Sequence, residues 1–525
     1  MRATFTVMVA WALAAFVLTG VGRLISVRLP SGWAKLPGFP RFWLGFVGTC
    51  AFLSLWQLFA PVNDVARVLL VLAALAGWWL TRASWRESSP GTWALLLAPW
   101  LANRALGPET NADFASYFHE TTNWFTTFAL PPGLGNLHHR LGFNHAYYLY
   151  RALFETGPLT GLSQHVSDSL LFFVSFLVTA PGLVALFRAD RRPIHVVQAI
   201  LLVPVVHQVL TGHVSSGAAD AGVFALSVTL VLLTANRVLS REAASDGEIA
   251  LGLILAAGAV TTKLSLAATA IPLVVSLATT RRIAVKWAAL ATVLILIPWM
   301  ARGVVMTGYP LFPSTVFGFD VSWRVPESLA HAEALFAQAY GRGFYDTPPV
   351  GTPWVAHWVM RALWLNHEFV IPLSIAGVAL LLCLVRRKFE PKAWLCFMPG
   401  FAVWLLGAPE PRHAGALLWG FAAITFASAT REWSLRWLQP VIVTVVMLML
   451  SSEFAYAPWA PPFDGFSAPV RTVTQPFTLP GGDVIQDGSA NVQCIDLDCT
   501  LVPRAIRFRV HGHLEKGFLP AVTSP

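Results

Sequence analysis

Runs of roughly 16–21 apolar residues recur along this chain, separated by short loops that carry most of its Arg and Lys. A run of that length suits a helix crossing a hydrocarbon layer about 30 Å thick, where a helix alone satisfies its own backbone groups. The bulk composition agrees: 56% of residues are hydrophobic, only 12% are charged and the mean hydropathy is +0.61. An outer-membrane barrel would show short strands of alternating polarity instead. The net charge of +9 raises nucleic acid as a partner, yet the basic residues form no run and no aromatic-basic patch. The expected fold class is an all-α, polytopic integral membrane protein.

The basic residues also set the topology. Seven short loops hold Arg23, Arg28, Lys35 and Arg41; Arg82 and Arg86; Arg188, Arg191 and Arg192; Arg237 and Arg241; Arg281, Arg282 and Lys286; Arg386, Arg387, Lys388 and Lys392; and Arg431 and Arg436. Together these are more than half of the 36 Lys and Arg, and the positive-inside rule places all seven loops in the cytoplasm. Any segment between two such loops crosses an even number of times. Candidate spans pair accordingly: 43–60 with 66–81, 91–102 with 167–187, 194–210 with 218–236, 249–261 with 265–280, 287–303 with 368–385, and 394–408 with 414–430. Adding 3–20 and 437–452 predicts about 14 crossings with both termini outside.

Met1–Gly20 resembles a secretory signal but lacks a small-residue cleavage site and is expected to remain as the first span. The outside then receives loops 103–166 and 304–367, turns near 211–218, 262–264 and 409–413, and a tail, 453–525, distinct from the membrane domain 1–452. Within loop 304–367, residues 327–340 read as a helix on the membrane surface, with Leu329, Phe336 and Tyr340 on one side. Trp354, Trp358 and Trp364 read as an interfacial belt. Alternation at Ile506, Phe508 and Val510, with turn signals at Pro480-Gly481-Gly482, predicts a small β-rich C-terminal cap. Cys50, Cys383 and Cys396 lie in or beside spans, whereas Cys494 and Cys499 can form a disulfide in an external tail.

About sixty irregular residues between spans point to use rather than mere connection, and loop 103–166 concentrates groups that carry chemistry. Asp113 follows a span by about ten residues, where a lipid-linked ligand would present its head group; a carboxylate there can take or orient an acceptor proton, as can Glu120. The plainer alternative for Asp113 is a helix cap. His119 is a candidate active-site hydrogen-bonding group. Trp124 and the run Gly133 to Asn144 come next. Its glycines allow close approach, and Asn136, His138, Arg140 and Asn144 supply donors for a phosphate or sugar, or simply order the loop against the spans. The spacing matches no P-loop or dinucleotide fingerprint, and the acidic and Cys partners are too few for His119, His138, His139 and His145 to hold a metal, so no metal or other cofactor is expected.

Two cations stand out. Lys263 lies in the otherwise uncharged stretch Leu251–Ser276, and parity places it at an outward turn, where it can hold a lipid phosphate or simply snorkel. Arg412, in Pro409-Glu410-Pro411-Arg412-His413, is the second candidate for the same anion, with Glu410 as a pairing partner. His213 and Asp220 also face outward.

The order Asp113, His119, Trp124, followed by Gly133-Leu134-Gly135-Asn136-Leu137-His138-His139-Arg140-Leu141-Gly142-Phe143-Asn144, resembles a family of uncharacterised bacterial multi-span proteins. Gly308 to Ser314, Trp323-Arg324-Val325-Pro326, and the tail with Cys494, Cys499 and Gly517-Phe518 are similar to the same family. That family in turn resembles the GT-C superfamily of polyprenyl-phosphate-dependent glycosyltransferases. The resemblance implies a GT-C-like helical bundle in the bacterial plasma (inner) membrane with an extracytoplasmic active site. It implies inverting transfer of a sugar from a polyprenyl-phosphate-linked donor to a glycan, lipid or protein acceptor of the envelope. Asp113, His119 and Glu120 would then act in catalysis, Lys263 and Arg412 on the lipid phosphate, and loop 133–144 around the sugar. Two other classes fit the same pattern: a polymerase or ligase of lipid-linked glycans, and a non-enzymatic lipid-glycan transporter or flippase. Membrane lipids are expected partners; nucleic acid is not.

Overall fold

A computed structural model of the 525-residue chain describes residues 1–33, 36–81, 93–109, 111, 113–188, 192–240, 242–278, 282–344, 351–365, 367–386, 391–431 and 441, and in the tail 463–467, 474–479, 482–489, 494, 496–501 and 506–520. The predicted span 437–452, apart from Val441, and the turn at Pro480-Gly481 lie outside the described residues. So do Lys35, Arg82, Arg86, Arg191, Arg241, Arg281, Arg387, Lys388 and Arg436 of the basic loops.

The protein is mainly helical. In chain order the helices are α1 (Arg2–Ser26), α2 (Pro40–Trp56), α3 (Asp64–Thr81), α4 (Trp93–Arg104), α5 (His119–Thr127), α6 (Leu134–Leu137), α7 (Tyr147–Ala152), α8 (Gln164–Phe187), α9 (Pro193–Leu210) and α10 (Ala219–Leu239). They continue with α11 (Asp246–Thr262), α12 (Ala267–Ser276), α13 (Arg282–Ala291), α14 (Ile297–Thr307), α15 (Glu327–Gly341), α16 (Val355–Leu365), α17 (His367–Val385), α18 (Pro391–Leu406), α19 (Pro411–Ala414) and α20 (Leu417–Ala429). A π-helical turn, Thr292–Leu296, joins α13 to α14 in one long helix. Among the described residues seven helices are long and apolar enough to cross a membrane: α1, α3, α8, α9, α10, the joined α13–α14, and α17. Residues Leu264–Ser276, α18 and α20 form shorter apolar helices, so the predicted count of about 14 crossings is met only in part.

Small residues let the first helices approach closely, the usual packing device where lipid is as apolar as the side chains. A Cβ on Gly45 would lie 1.7 Å from the Leu18 carbonyl oxygen, and one on Gly77 would lie 1.9 Å from that of Gly20. Larger rings fill the centre: Trp43, Phe46, Tyr147 and Tyr150 are all buried.

Described loops meet at the ends of the helices. At one end Gly247 donates to the Ser31 carbonyl at 3.2 Å, joining the loop before α2 to the start of α11. A capping box of Ser245 and Glu248 opens that helix. At the other end the predicted outer segments interlock. Val62 donates to Phe125, Ala146 to Thr261 and Gly133 to Val305, each at 2.8 Å; Phe518 donates to Pro132 at 2.9 Å and Ser467 to Leu106 at 3.0 Å.

The tail is the small β structure expected. β1 (Gln475–Thr478) pairs antiparallel with β2 (Val484–Asp487), β2 pairs parallel with β3 (Cys499–Thr500), and β4 (Ile506–Phe508) pairs antiparallel with β5 (Phe518–Pro520). A Cys494–Cys499 disulfide closes the loop before β3. Val510, expected to continue the alternation of β4, lies beyond the strand and is exposed.

Candidate functional site

The site is built where the polar loop meets the outer ends of α10, α11 and α19. A π-helical turn, Phe114–Phe118, wholly buried, runs directly into α5 and places Asp113 at its mouth. Asp113 Oδ1 accepts from Arg140 Nη1 at 2.8 Å and from Ser116 Oγ at 3.5 Å, and 31% of the Asp113 side chain stays exposed. Arg140, in the tight turn His139–Gly142, has a second carboxylate nearby: Glu333 of α15, at 3.9 Å. Its guanidinium lies 5.6 Å from the ring centres of both Tyr117 and Phe336.

Lys263 stands at the turn predicted for it, at the C-terminal end of α11, and donates from Nζ to Asp220 Oδ1 at 2.5 Å. Asp220 occupies the first turn of α10, where the helix dipole favours an anion. Arg412 and His413 of α19 also act electrostatically on Asp220. Arg412 lies 5.0 Å over the ring of Tyr340. Burial works against its charge, but Asp220, Tyr340, Glu410 and Asp113 outweigh that and hold its pKa above the ordinary guanidinium value. Glu410, expected as the partner of Arg412, makes its ion pair with Arg361 at 4.0 Å.

Tyr117 connects the two groups of charges. Burial raises its phenol well above the ordinary value, and Asp113, Arg140, Asp220 and Arg412 all act on it. Beside Asp220 and Arg412 runs a small, partly enclosed cavity of about 30 Å³, bounded by α9, α10, α17, α19 and α20. His207, Gln208, His213, Asp220, Glu368 and Arg412 form its polar lining, while Pro204, Phe224, Ile371, Leu418 and Trp419 form its apolar wall.

Residues 5–419 match the family described as a domain of unknown function (DUF8201). The chain belongs to the DUF8201 family. No curated protein and no solved structure matches it. The matched stretch contains Asp113, Arg140, Asp220, Lys263 and Arg412, whereas the β-structured tail of this DUF8201 protein lies beyond it.

Several residues expected at the site serve packing instead. Glu120 is wholly buried, and Trp124 Nε1 donates to its Oε1 at 3.2 Å. Burial drives the Glu120 carboxyl well above the carboxylate range, the Trp124 bond opposing and Asp496 and Asp498 reinforcing. Trp124 is itself buried between Phe128 and Phe518. Asn136 donates to the Trp323 carbonyl at 2.8 Å. Asn144 donates to the Trp299 carbonyl, and its Oδ1 accepts from Arg302 Nη1 at 2.5 Å. His119 packs on Phe114, and burial, then Arg151, lower its pKa to about 3. His138 is held neutral by burial, His139 and Arg140.

The glycines of the run admit protein. Gly133 has φ +74°, and a Cβ there would lie 2.1 Å from the Phe518 carbonyl oxygen. Cβ atoms on Gly135 and Gly142 would meet Thr307 at 2.8 and 2.7 Å. Of the residues chosen from sequence, Arg412 lines the cavity and Lys263 pairs with its Asp220, while Asp113 and Arg140 form a separate pair that is linked to them through Tyr117. Asp220 carries more of the site than its outward position alone suggests, and Tyr117, Glu333 and Tyr340 are additions. The partners of Asp220, Glu333 and Tyr340 lie 43 or more residues away, a pairing no local pattern encodes.

Proposed function

We propose that this DUF8201 protein is a membrane glycosyltransferase of GT-C type. It moves a sugar from a polyprenyl-phosphate-linked donor to a glycan, lipid or protein acceptor at the extracytoplasmic face of the bacterial plasma membrane. The observation that carries this reading is the Lys263–Asp220 pair, with Arg412 acting on the same Asp220, at a cavity lined by both polar and apolar side chains.

In the proposed step the acceptor oxygen attacks the anomeric carbon from the face opposite the phosphate. The acceptor O–H bond breaks as its proton passes to Asp113. The bond from the anomeric carbon to the phosphate oxygen breaks in concert, and the electron pair leaves with the lipid phosphate. Arg412 and Lys263 hold the charge that develops there, the form of catalysis that placed cations provide best. Arg140 and Ser116 engage one oxygen of Asp113, and the partial exposure of its side chain leaves the carboxylate open to a substrate. His119 acts at one remove, behind the Phe114 ring. Glu120, Trp124, Asn136 and Asn144 shape the loop that positions Asp113 and Arg140.

The test is transfer from a panel of radiolabelled polyprenyl-phosphate sugars by the purified full-length protein in proteoliposomes. Asp113→Asn and Arg412→Gln are expected each to lower transfer by a factor of about 100 or more. Wild-type rates in both variants would remove these residues from the chemistry.

A further inference from the structure

The turn between Asn144 and α7 is wedged into the basin. Ala146 donates to the Thr261 carbonyl at 2.8 Å, one turn from Lys263, and a Cβ on Gly222 of α10 would lie 2.6 Å from the Tyr147 ring. Two polar atoms of this turn are buried with no hydrogen-bond partner among the described residues: His145 Nδ1 and Tyr148 Oη. Their rings lie 5.9 Å apart, and Tyr148 sits 5.8 Å from Phe118. Lys263, Asp220 and His413 act electrostatically on His145; Tyr117 and Asp220 act on Tyr148. Both side chains thus stand near the Lys263–Asp220 pair, and neither lines the cavity itself.

Buried hydroxyl and imidazole groups almost always find partners, because leaving one without a bond costs about 1–3 kcal/mol. We propose that Tyr148 Oη and His145 Nδ1 are the hydroxyl-binding groups of this basin, and that they take ring hydroxyls of the donor's sugar. The division of labour follows from charge. Arg412 and Lys263 are cations suited to a phosphate, while a neutral phenol and a neutral imidazole both donate and accept, as hydroxyls require. Burial and the neighbouring Lys263 keep His145 neutral, lowering its pKa to about 3 against the opposing pull of Asp220. Neither atom has another task in the fold, since none of the described groups bonds to it.

This inference rests on the polyprenyl-phosphate donor proposed above, and the experiment separates the two. Full-length wild type, Tyr148→Phe and His145→Phe are placed in nanodiscs, and binding is measured for bare polyprenyl phosphate and for polyprenyl-phosphate-linked glucose, mannose and galactose. For at least one sugar-bearing lipid, wild type is expected to bind more tightly than it binds the bare lipid. Tyr148→Phe is expected to weaken that binding about tenfold, leave the bare lipid unchanged and hold or raise the Tm, because the lost hydroxyl had no partner. His145→Phe is expected to act in the same direction. Equal binding of bare and sugar-bearing lipids by wild type, or a variant that loses affinity for both alike, overturns the hydroxyl site and leaves the lipid-phosphate reading intact. A fall of several degrees in the Tm of Tyr148→Phe also overturns it, by showing a structural partner. Failure of every lipid phosphate to bind removes the donor reading, and the sugar site falls with it.

Discussion

Replacing Lys263 by Met tests the electrostatic core of the basin. Lys263 Nζ and Asp220 Oδ1 are 2.5 Å apart, with side chains only 16% and 9% exposed, so the substitution leaves a carboxylate in a poorly solvated place. Breaking a buried pair at one end typically costs about 3–5 kcal/mol. Arg412 and His413 also act on Asp220, so the stranded charge keeps some compensation, and about 2–3 kcal/mol is the expected loss. For a chain of this size the unfolding entropy makes that a fall of roughly 2–3 °C in Tm. Removing the charge as well, in Asp220→Asn with Lys263→Met, is expected to recover at least half of it, a coupling of about 1–2 kcal/mol. The assay is thermal denaturation in nanodiscs of the two single variants, the double variant and wild type. A single variant with wild-type Tm, or a double variant as depressed as the two single effects added together, would refute the reasoning.

Three further outcomes follow from the same geometry. Helix α15 touches both arginines through one face, Glu333 and Phe336 on Arg140 and Tyr340 on Arg412, so Glu333→Gln should speed amide exchange over 327–341 about fivefold while α10 stays protected. His119 and His138 are buried and held neutral, with pKa values below that of an unfolded imidazole. The unfolded chain therefore takes up protons first as pH falls below about 6.5, and stability should drop across that range by up to about 1.4 kcal/mol per pH unit for each ring, read as a falling Tm that His119→Gln flattens. Cys494→Ser with Cys499→Ser opens a small loop whose first amide donates to the Ala115 carbonyl at 2.6 Å; the cap should lose about 2 kcal/mol, read as faster proteolysis of the tail.

The sorting of loops is legible in the sequence because Arg and Lys are expensive to place in lipid. Parity then groups 103–166, 304–367, the turn 409–413 and the tail, and backbone bonds join three of these: Gly133 to Val305, Phe518 to Pro132 and Ser467 to Leu106. Lys263 is legible for the same reason, as an isolated charge in an apolar stretch. The Asp113–Arg140 pair joins two residues of one motif, but nothing local shows that Glu333 would share Arg140. The 133–144 run illustrates the limit. Gly, Asn and His in a loop suit a ligand cradle and a close-packed protein joint equally well. Here Gly133, Gly135 and Gly142 are occupied by Phe518 and Thr307, which lie hundreds of residues away. Helix 327–340 has the expected bounds to within one residue, and its Phe336 and Tyr340 rings lie against the half-buried Arg140 and Arg412, contacts that the sequence pattern does not show.

The central claim is that one outer basin brings Arg412, Lys263 and Asp220 to bear on a lipid phosphate. Photolabelling tests it most directly, using a polyprenyl phosphate with a diazirine near the phosphate and the full-length protein in nanodiscs. The account predicts adducts within 204–224, 368–371 and 411–419, reduced about tenfold in Arg412→Gln. Labelling confined to other helices, or labelling indifferent to Arg412, would contradict it.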